Sequence, residues 1–406
     1  MNLEARLDSI TEFLRPWLNL LEVEILKRYP EPLPLEVQTW ARELQDSSME
    51  ELLDFINHRK SVIRNEGLQG FLSKISELTS FETLSKGSYE LPQHLNRRVD
   101  LKKKHELEQI RSLCEQLNGV ETIVDIGGGA GHLSSTLVDD KDRLAYCLDR
   151  NDKFQAQGKV RLRKWTPKNL EKISFVNCEF SENTDLECLN SYDNNLVVGL
   201  HGCGDLTTNT IKFFQKSESR WLLSVGCCYQ NLNGQYNISN FGKNRGIEFS
   251  KNALHLAARC HTLYSAEDLD KKFKVRRFRY ALHLYLHDVL GKEEFESIGN
   301  TSLSDYEGSF YEYAIKYAKL KRCLENELNE FYNSENTQKL IDHVIAADLV
   351  RELLGRVVES YIVVDRALFL EERGYCAHIV EAFKRDLSPR NLLIFVAKET
   401  SDFRVN

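Results

Sequence analysis

The stretch Val124–His132, "VDIGGGAGH", decides the fold of this chain. It closes an apolar run that begins at Thr122 and opens directly into glycines, which reads as a buried strand ending in a tight loop. The segment after it, "GHLSSTLVDD" (131–140), has helical spacing, so the unit is strand, glycine loop, helix. Glycine is needed in such a loop because it reaches positive φ without steric cost and lets another backbone or a ligand approach closely. A dinucleotide site requires G-x-G-x-x-G. Counted from Gly127, the third glycine position is His132, so that reading fails. The lysine of a phosphate-cradling P-loop is also missing.

Working outward, the same alternation continues. "KKKHELEQIRSLCEQLNG" (102–119) precedes the decisive strand as a helix. "LAYCLDR" (144–150), "ISFVNCEF" (173–180), "NLVVGLHGCGD" (195–205) and "WLLSVGCCY" (221–229) read as further strands, with "TNTIKFFQ" (208–215) a helix between the last two. Strands alternating with helices predict an α/β fold with a doubly wound, mostly parallel, Rossmann-like sheet. Such a sheet binds ligands beyond the carboxyl ends of its strands, where the strand order reverses. Around this core (96–244) the pattern predicts a helical N-terminal region (1–95) and a helical insertion (245–350) that includes the long segment 311–332. A last part (351–406) completes the sheet through "VVESYIVVDRALFLEERGY" (357–375) and "NLLIFVAKE" (391–399), read as strand, helix and strand. In the N-terminal region Leu7, Ile10, Phe13, Leu14, Leu18 and Leu21 form an amphipathic stripe, and Ser47 or Ser48 caps a helix ahead of Glu50 and Glu51.

The chain of 406 residues has 42% hydrophobic and 28% charged residues, enough for a sizeable core. Its net charge of −7 gives no global attraction to nucleic acid. The acidic excess is concentrated in 1–90, while "RRVDLKKKH" (97–105), "KVRLRKW" (159–165) and "KKFKVRRFR" (271–279) are basic clusters, read as solvated faces. Ten cysteines follow no framework spacing and include no C-x-x-C pair, so reduced thiols and a cytoplasmic or nuclear, soluble protein are expected. No apolar run approaches the roughly 20 residues that span a bilayer.

The strand ends supply the candidate chemistry. The D-x-G-x-G-x-G form of Asp125, Gly127, Gly129 and Gly131 resembles the first motif of class I S-adenosylmethionine-dependent methyltransferases. Asp125 can accept hydrogen bonds from the loop or from a cofactor ammonium. Asp149, at the second strand end, is placed to accept ribose hydroxyls, and Glu179, past the third, to accept from an adenine amine. At the fourth strand end, Gly204 and its neighbours suggest close backbone approach. His201 is a candidate general base, with Asp205 either orienting it or capping the next helix. Cys203 at that end and Cys227 and Cys228 at the fifth are read as small pocket-lining residues, and Tyr229 as a stacking face or hydroxyl for the acceptor. His201, Cys203, Cys227 and Cys228 are types that suit zinc, but their spacing matches no known knuckle, so no metal is expected.

Together these motifs resemble the methyltransferase-like protein 25 family, the group labelled ribosomal RNA adenine dimethylase domain-containing. The likeness rests on "KKKHE" (102–106), "VDIGGGAGHLS" (124–134), "GLHGCGDLT" (199–207), "VGCCYQNL" (225–232), "ESYIVVDRALFLEERG" (359–374) and "LSPRNLLIFVAK" (387–398). One departure is "YNIS" (236–239) where the family has a Phe-Pro-Met-Ser type turn. The H-x-C-G and Cys-Cys elements are also similar to those of a transfer-RNA 2′-O-methyltransferase family. The Asn-Pro-Pro-Tyr type turn of adenine-amine methyltransferases is missing. The resemblance implies a methyltransferase using S-adenosyl-L-methionine on a macromolecular acceptor, RNA or protein, with RNA modification in view. It implies that Lys104 and His105 reach the cofactor carboxylate or the acceptor. The alternative is a catalytically silent cofactor-binding scaffold that docks partners through its helical regions.

Overall fold

The structure, a computed structural model, describes residues 2–60, 65–85, 87–185, 194–234, 236–296, 298–318 and 325–398. Eight strands form one sheet: β1 (Glu82–Thr83), β2 (Thr122–Ile126), β3 (Leu144–Asp149), β4 (Ile173–Asn177), β5 (Asn195–Gly202), β6 (Trp221–Gly226), β7 (Cys376–Glu381) and β8 (Leu392–Ala397). Their order is β1-β7-β8-β6-β5-β2-β3-β4, and only β8 runs antiparallel to its neighbours. The chain leaves β2 toward β3 and β4, then crosses back to place β5 on the other side of β2. That reversal opens a crevice beyond the carboxyl ends of β2 and β5.

Strand alternation builds two apolar layers, because successive side chains point to opposite faces. Ile123, Leu196, Leu223 and Phe395 pack on one face with Leu107, Ile110 and Leu137. Val124, Val197, Leu222 and Ile394 pack on the other with Ile211, Phe214 and Val363. Both faces are covered, so the strands read as continuous apolar runs rather than alternating ones.

The chain divides into two compact units. The first comprises 1–16, 78–262 and 355–406 and holds the whole sheet. The second, 17–77 and 263–354, is helical among the described residues. Within it Ser48 closes a capping box with Glu51 at the start of the Met49–His58 helix. No helix among the described residues is long and apolar enough to cross a membrane.

Two local expectations are corrected. The run at 357–364, read as a strand, lies inside a helix spanning Glu335–Glu371. Val357, Val358, Tyr361, Ile362, Val363 and Val364 are all buried, and a helix buried on every side loses the polar stripe that marks it in a sequence. β1 was not foreseen, since two exposed residues carry no period; it pairs parallel to β7, the strand that 376–381 form in place of the one read at 357–364. Of the long segment 311–332, helix is described at Phe310–Ala318 and Glu325–Asn333, while 319–324 lie outside the described residues.

Candidate active site

The glycine loop is held from within. Gly127 and Gly128 donate their amides to the Leu148 carbonyl at 2.9 and 3.0 Å, which folds the loop back over the end of β3. Gly127, Gly129 and Gly131 have φ of 73°, 55° and 68°, the left-handed region that only glycine occupies freely. Asp125 is buried at the end of β2, and its Oδ2 accepts from the amide and the hydroxyl of Ser134 at 3.1 and 2.6 Å. Burial raises its pKa against those hydrogen bonds. Both donors belong to the helix that follows the loop, His132–Val138.

Asp149 closes the loop from the neighbouring strand. Its Oδ2 accepts from the Gly129 amide at 2.9 Å and its Oδ1 from the Asn151 amide at 2.7 Å. The residue is half-buried, and a Cβ built on Gly129 would have Asp149 Oδ2 as its nearest neighbour at 3.8 Å. The loop therefore leaves open space directly in front of this carboxylate. Glu179 is exposed two residues beyond β4.

At the end of β5 the pairing to β6 is irregular between Leu200 and Gly202, and His201 takes φ 63°. A non-glycine residue in this region costs of order 1–3 kcal/mol and persists only where its surroundings fix it. What fixes it is Glu106, from the Leu101–Glu115 helix: Glu106 Oε1 stands 2.7 Å from His201 Nε2 and accepts from Ser388 Oγ at 2.8 Å. Glu106 is 1% exposed. Burial works to raise its pKa, but the hydrogen bond and charge of His201 win, and the carboxyl is held below its ordinary value. An ionised Glu106 only accepts, so the ring donates to it from Nε2, and whenever the ring is neutral the lone pair falls on Nδ1.

Glu106 was not among the residues singled out from the sequence, although "KKKHE" contains it. Its neighbours Lys104 and His105 point elsewhere. Lys104 pairs with Glu108 at 3.7 Å along its own helix, and His105 Nε2 accepts from the Lys384 amide at 2.9 Å. Positive charge comes instead from Lys102, whose Nζ stands 3.8 Å from Glu106 Oε1, and from Lys103, which acts on Asp125, Glu106 and His132. Asp205 does not orient His201 either. Its two oxygens accept from the amide and the side chain of Asn233 at 3.1 and 3.0 Å, tying down the loop after β6. Gly204, at φ 55° and ψ −129°, leaves no room for a side chain: a Cβ there would sit 2.5 Å from the Asn231 carbonyl oxygen.

The cysteines converge. Cys203 Sγ lies 3.3 Å from Cys227 Sγ and 3.2 Å from Cys228 Sγ, and the last two are 3.6 Å apart. The Cys203 thiol is lowered to about 5, chiefly by its hydrogen bond with Cys227, and the same contact pushes Cys227 up. Tyr229 does not join them. It is 1% exposed, and its hydroxyl donates to Glu359 Oε1 at 3.3 Å, where Cys260 and Arg356 also donate to Glu359. The reading of Tyr229 as an acceptor-facing residue is corrected: the chain turns into a short 3-10 helix at Tyr229–Asn231 and carries the ring into the core.

Residues 102–235 match the model of a methyltransferase domain family. The chain is similar to probable methyltransferase-like protein 25 of Mus musculus, 26% identical over 238 residues that make 51% of this chain and 38% of that protein. The Homo sapiens protein of the same description is 26% identical over 266 residues, 58% of this chain and 43% of that one. This chain thus spans less than half the length of these relatives. A solved S-adenosylmethionine-dependent methyltransferase of Geobacter sulfurreducens, in complex with S-adenosyl-L-homocysteine, aligns at 16% identity over 33% of this chain and 55% of its own, with TM-score 0.26.

Proposed function

We propose that this chain transfers a methyl group from S-adenosyl-L-methionine to a macromolecular acceptor, RNA or protein. One observation carries the reading: the glycine loop that follows β2, braced by Asp149 at the end of β3, and His201 at the end of β5, held by Glu106, lie on either side of the reversal in strand order. The methyltransferase family match spans all of these residues.

The residues present fit the cofactor. Each Asp149 oxygen holds one backbone donor and keeps lone-pair capacity for a ribose hydroxyl, beside the open space that Gly129 leaves. Bound there, the cofactor supplies an electrophilic methyl on a sulfonium. Glu106 holds the Nε2 proton of His201, so Nδ1 is the atom that takes the acceptor's proton as the acceptor becomes nucleophilic. Alignment of acceptor and methyl carries the rest of the rate.

The test is labelling of an extract from cells lacking the protein, with methyl-tritiated cofactor. Label entering an RNase-sensitive or protease-sensitive fraction is the expected result and identifies the acceptor class. A protein that binds the cofactor yet labels no fraction is a silent scaffold, and that result overturns the proposal.

A further inference from the structure

Cys203 follows β5, while Cys227 and Cys228 follow β6, two strands paired in parallel, and the β5 irregularity at His201 swings the first thiol toward the other two. Two backbone contacts hold the arrangement. The Cys227 amide donates to the Gly202 carbonyl at 3.4 Å, and Cys227 Sγ donates to the His201 carbonyl at 3.3 Å. Adjacent cysteines normally diverge. Here Cys228, at φ −45° and ψ 64°, turns the chain so that both sulfurs lie on the same side.

We infer that Cys203, Cys227 and Cys228 bind a zinc ion through three sulfurs, with a fourth coordination position open. Among the described residues this is the one group of three or more histidine, cysteine or carboxylate residues whose ligand atoms all fall within 4.8 Å of one another. The sulfur triangle has the right size. With edges of 3.2, 3.3 and 3.6 Å, an ion at the usual Zn–S length of about 2.3 Å from each sulfur sits about 1.2 Å out of their plane. That is a trigonal pyramid, the shape of a tetrahedral site with its fourth vertex open. Three protein ligands with one open position is the pattern of reactive zinc sites, whereas structural sites close with a fourth protein ligand.

His201 does not complete the set: its Nε2 is engaged by Glu106, and it is not among the residues whose ligand atoms converge within 4.8 Å. Cys203 is exposed, so solvent or a donor atom of a ligand reaches the open position. Binding leaves each ligating sulfur as a thiolate, the thiol protons pass to solvent, including the one Cys227 gives the His201 carbonyl, whose contact the metal bonds replace, and the cluster carries a net charge of −1. A counter-charge is already in place. Arg366 is buried, its Nε has no hydrogen-bond partner, and its Nη1 reaches to 3.0 Å from where a Cβ on Gly226, the neighbour of Cys227, would stand. The spacing of these cysteines in the sequence argues against a metal because no local knuckle exists; it is the pairing of β5 with β6 that assembles the ligands.

The experiment is elemental analysis of the full chain, purified tag-free with reductant and without chelator. The expected result is about one zinc per chain. Cys203→Ser and Cys227→Ser should each drop to background metal, while Cys376→Ser, an exposed cysteine outside the cluster, keeps it. Since a cluster variant could lose metal by misfolding, the unmutated chain is also stripped and refilled with cobalt. A thiolate-to-cobalt charge-transfer band that disappears on adding zinc supports the site. Metal-free chain that yields no such band, metal retained by Cys203→Ser, or a Cys203–Cys227 disulfide in protein isolated under reductant overturns it. None of these readings uses methyl transfer, so the site stands or falls apart from the proposed activity.

Discussion

Glu106 and His201 lie 95 positions apart in the chain and meet at 2.7 Å, the carboxylate buried in one helix and the ring on a strained strand end. The contact gives His201 a single tautomer and helps to fix its left-handed backbone. Glu106 is therefore a positioning residue, acting on the reaction through the ring it orients.

Glu106→Gln keeps the shape but offers the ring a mixed donor and acceptor in place of a carboxylate. Methyl transfer is expected to fall about 10²-fold, within the usual range for loss of effective acid–base catalysis, with cofactor affinity by calorimetry unchanged. An unaltered rate would remove His201 from the chemistry.

The same residue gives a pH signature. The folded-state pKa of Glu106 is depressed, so its stabilisation is present above the unfolded value near 4.5 and is lost as pH falls through the lower folded value. Denaturant melts of wild type and Glu106→Gln should therefore converge as pH drops below about 4.5 and separate above it. A constant gap across that window contradicts the assignment.

Asp125 and Asp149 should respond in opposite ways. Asp125→Ala strips two hydrogen bonds from the buried Ser134 and is expected to destabilise the fold by about 1–3 kcal/mol. Asp149→Ala should leave the melting temperature nearly unchanged yet weaken S-adenosylmethionine binding roughly 10- to 100-fold by calorimetry, as expected for lost charge-assisted hydrogen bonds. Equal cofactor affinity in Asp149→Ala and wild type would be evidence against the binding site.

Tyr229→Phe tests the corrected role of that residue. Losing the hydroxyl that donates to Glu359 should reduce stability by roughly 1 kcal/mol and leave transfer rates within about twofold. A large rate loss in a protein of normal stability would return Tyr229 to the site.

Gly204→Ala places a Cβ 2.5 Å from the Asn231 carbonyl oxygen at a φ of 55°. The expected cost exceeds about 2 kcal/mol, combining strain and overpacking, and proteolysis should open the loop after β6 first.

The sequence by itself determined β2 to β6 and β8, the glycine loop and the position of Asp149, because each is encoded by spacing over fewer than about ten residues. A D-x-G-x-G-x-G turn after an apolar run has one economical backbone solution, and β2, β3, β5 and β6 formed where their apolar runs stand. The helix over 357–364 escaped notice because complete burial erases helical periodicity, and β1 because two residues have none. What only the tertiary structure decided is which side chains meet. Glu106 and Lys104 are two positions apart on one helix, nearly opposite in direction, and no local pattern tells which faces His201. Three cysteines that look unrelated along the chain become one cluster because β5 and β6 are hydrogen-bonded neighbours. Local spacing fixes backbone shape; long-range strand pairing fixes the chemistry that shape presents.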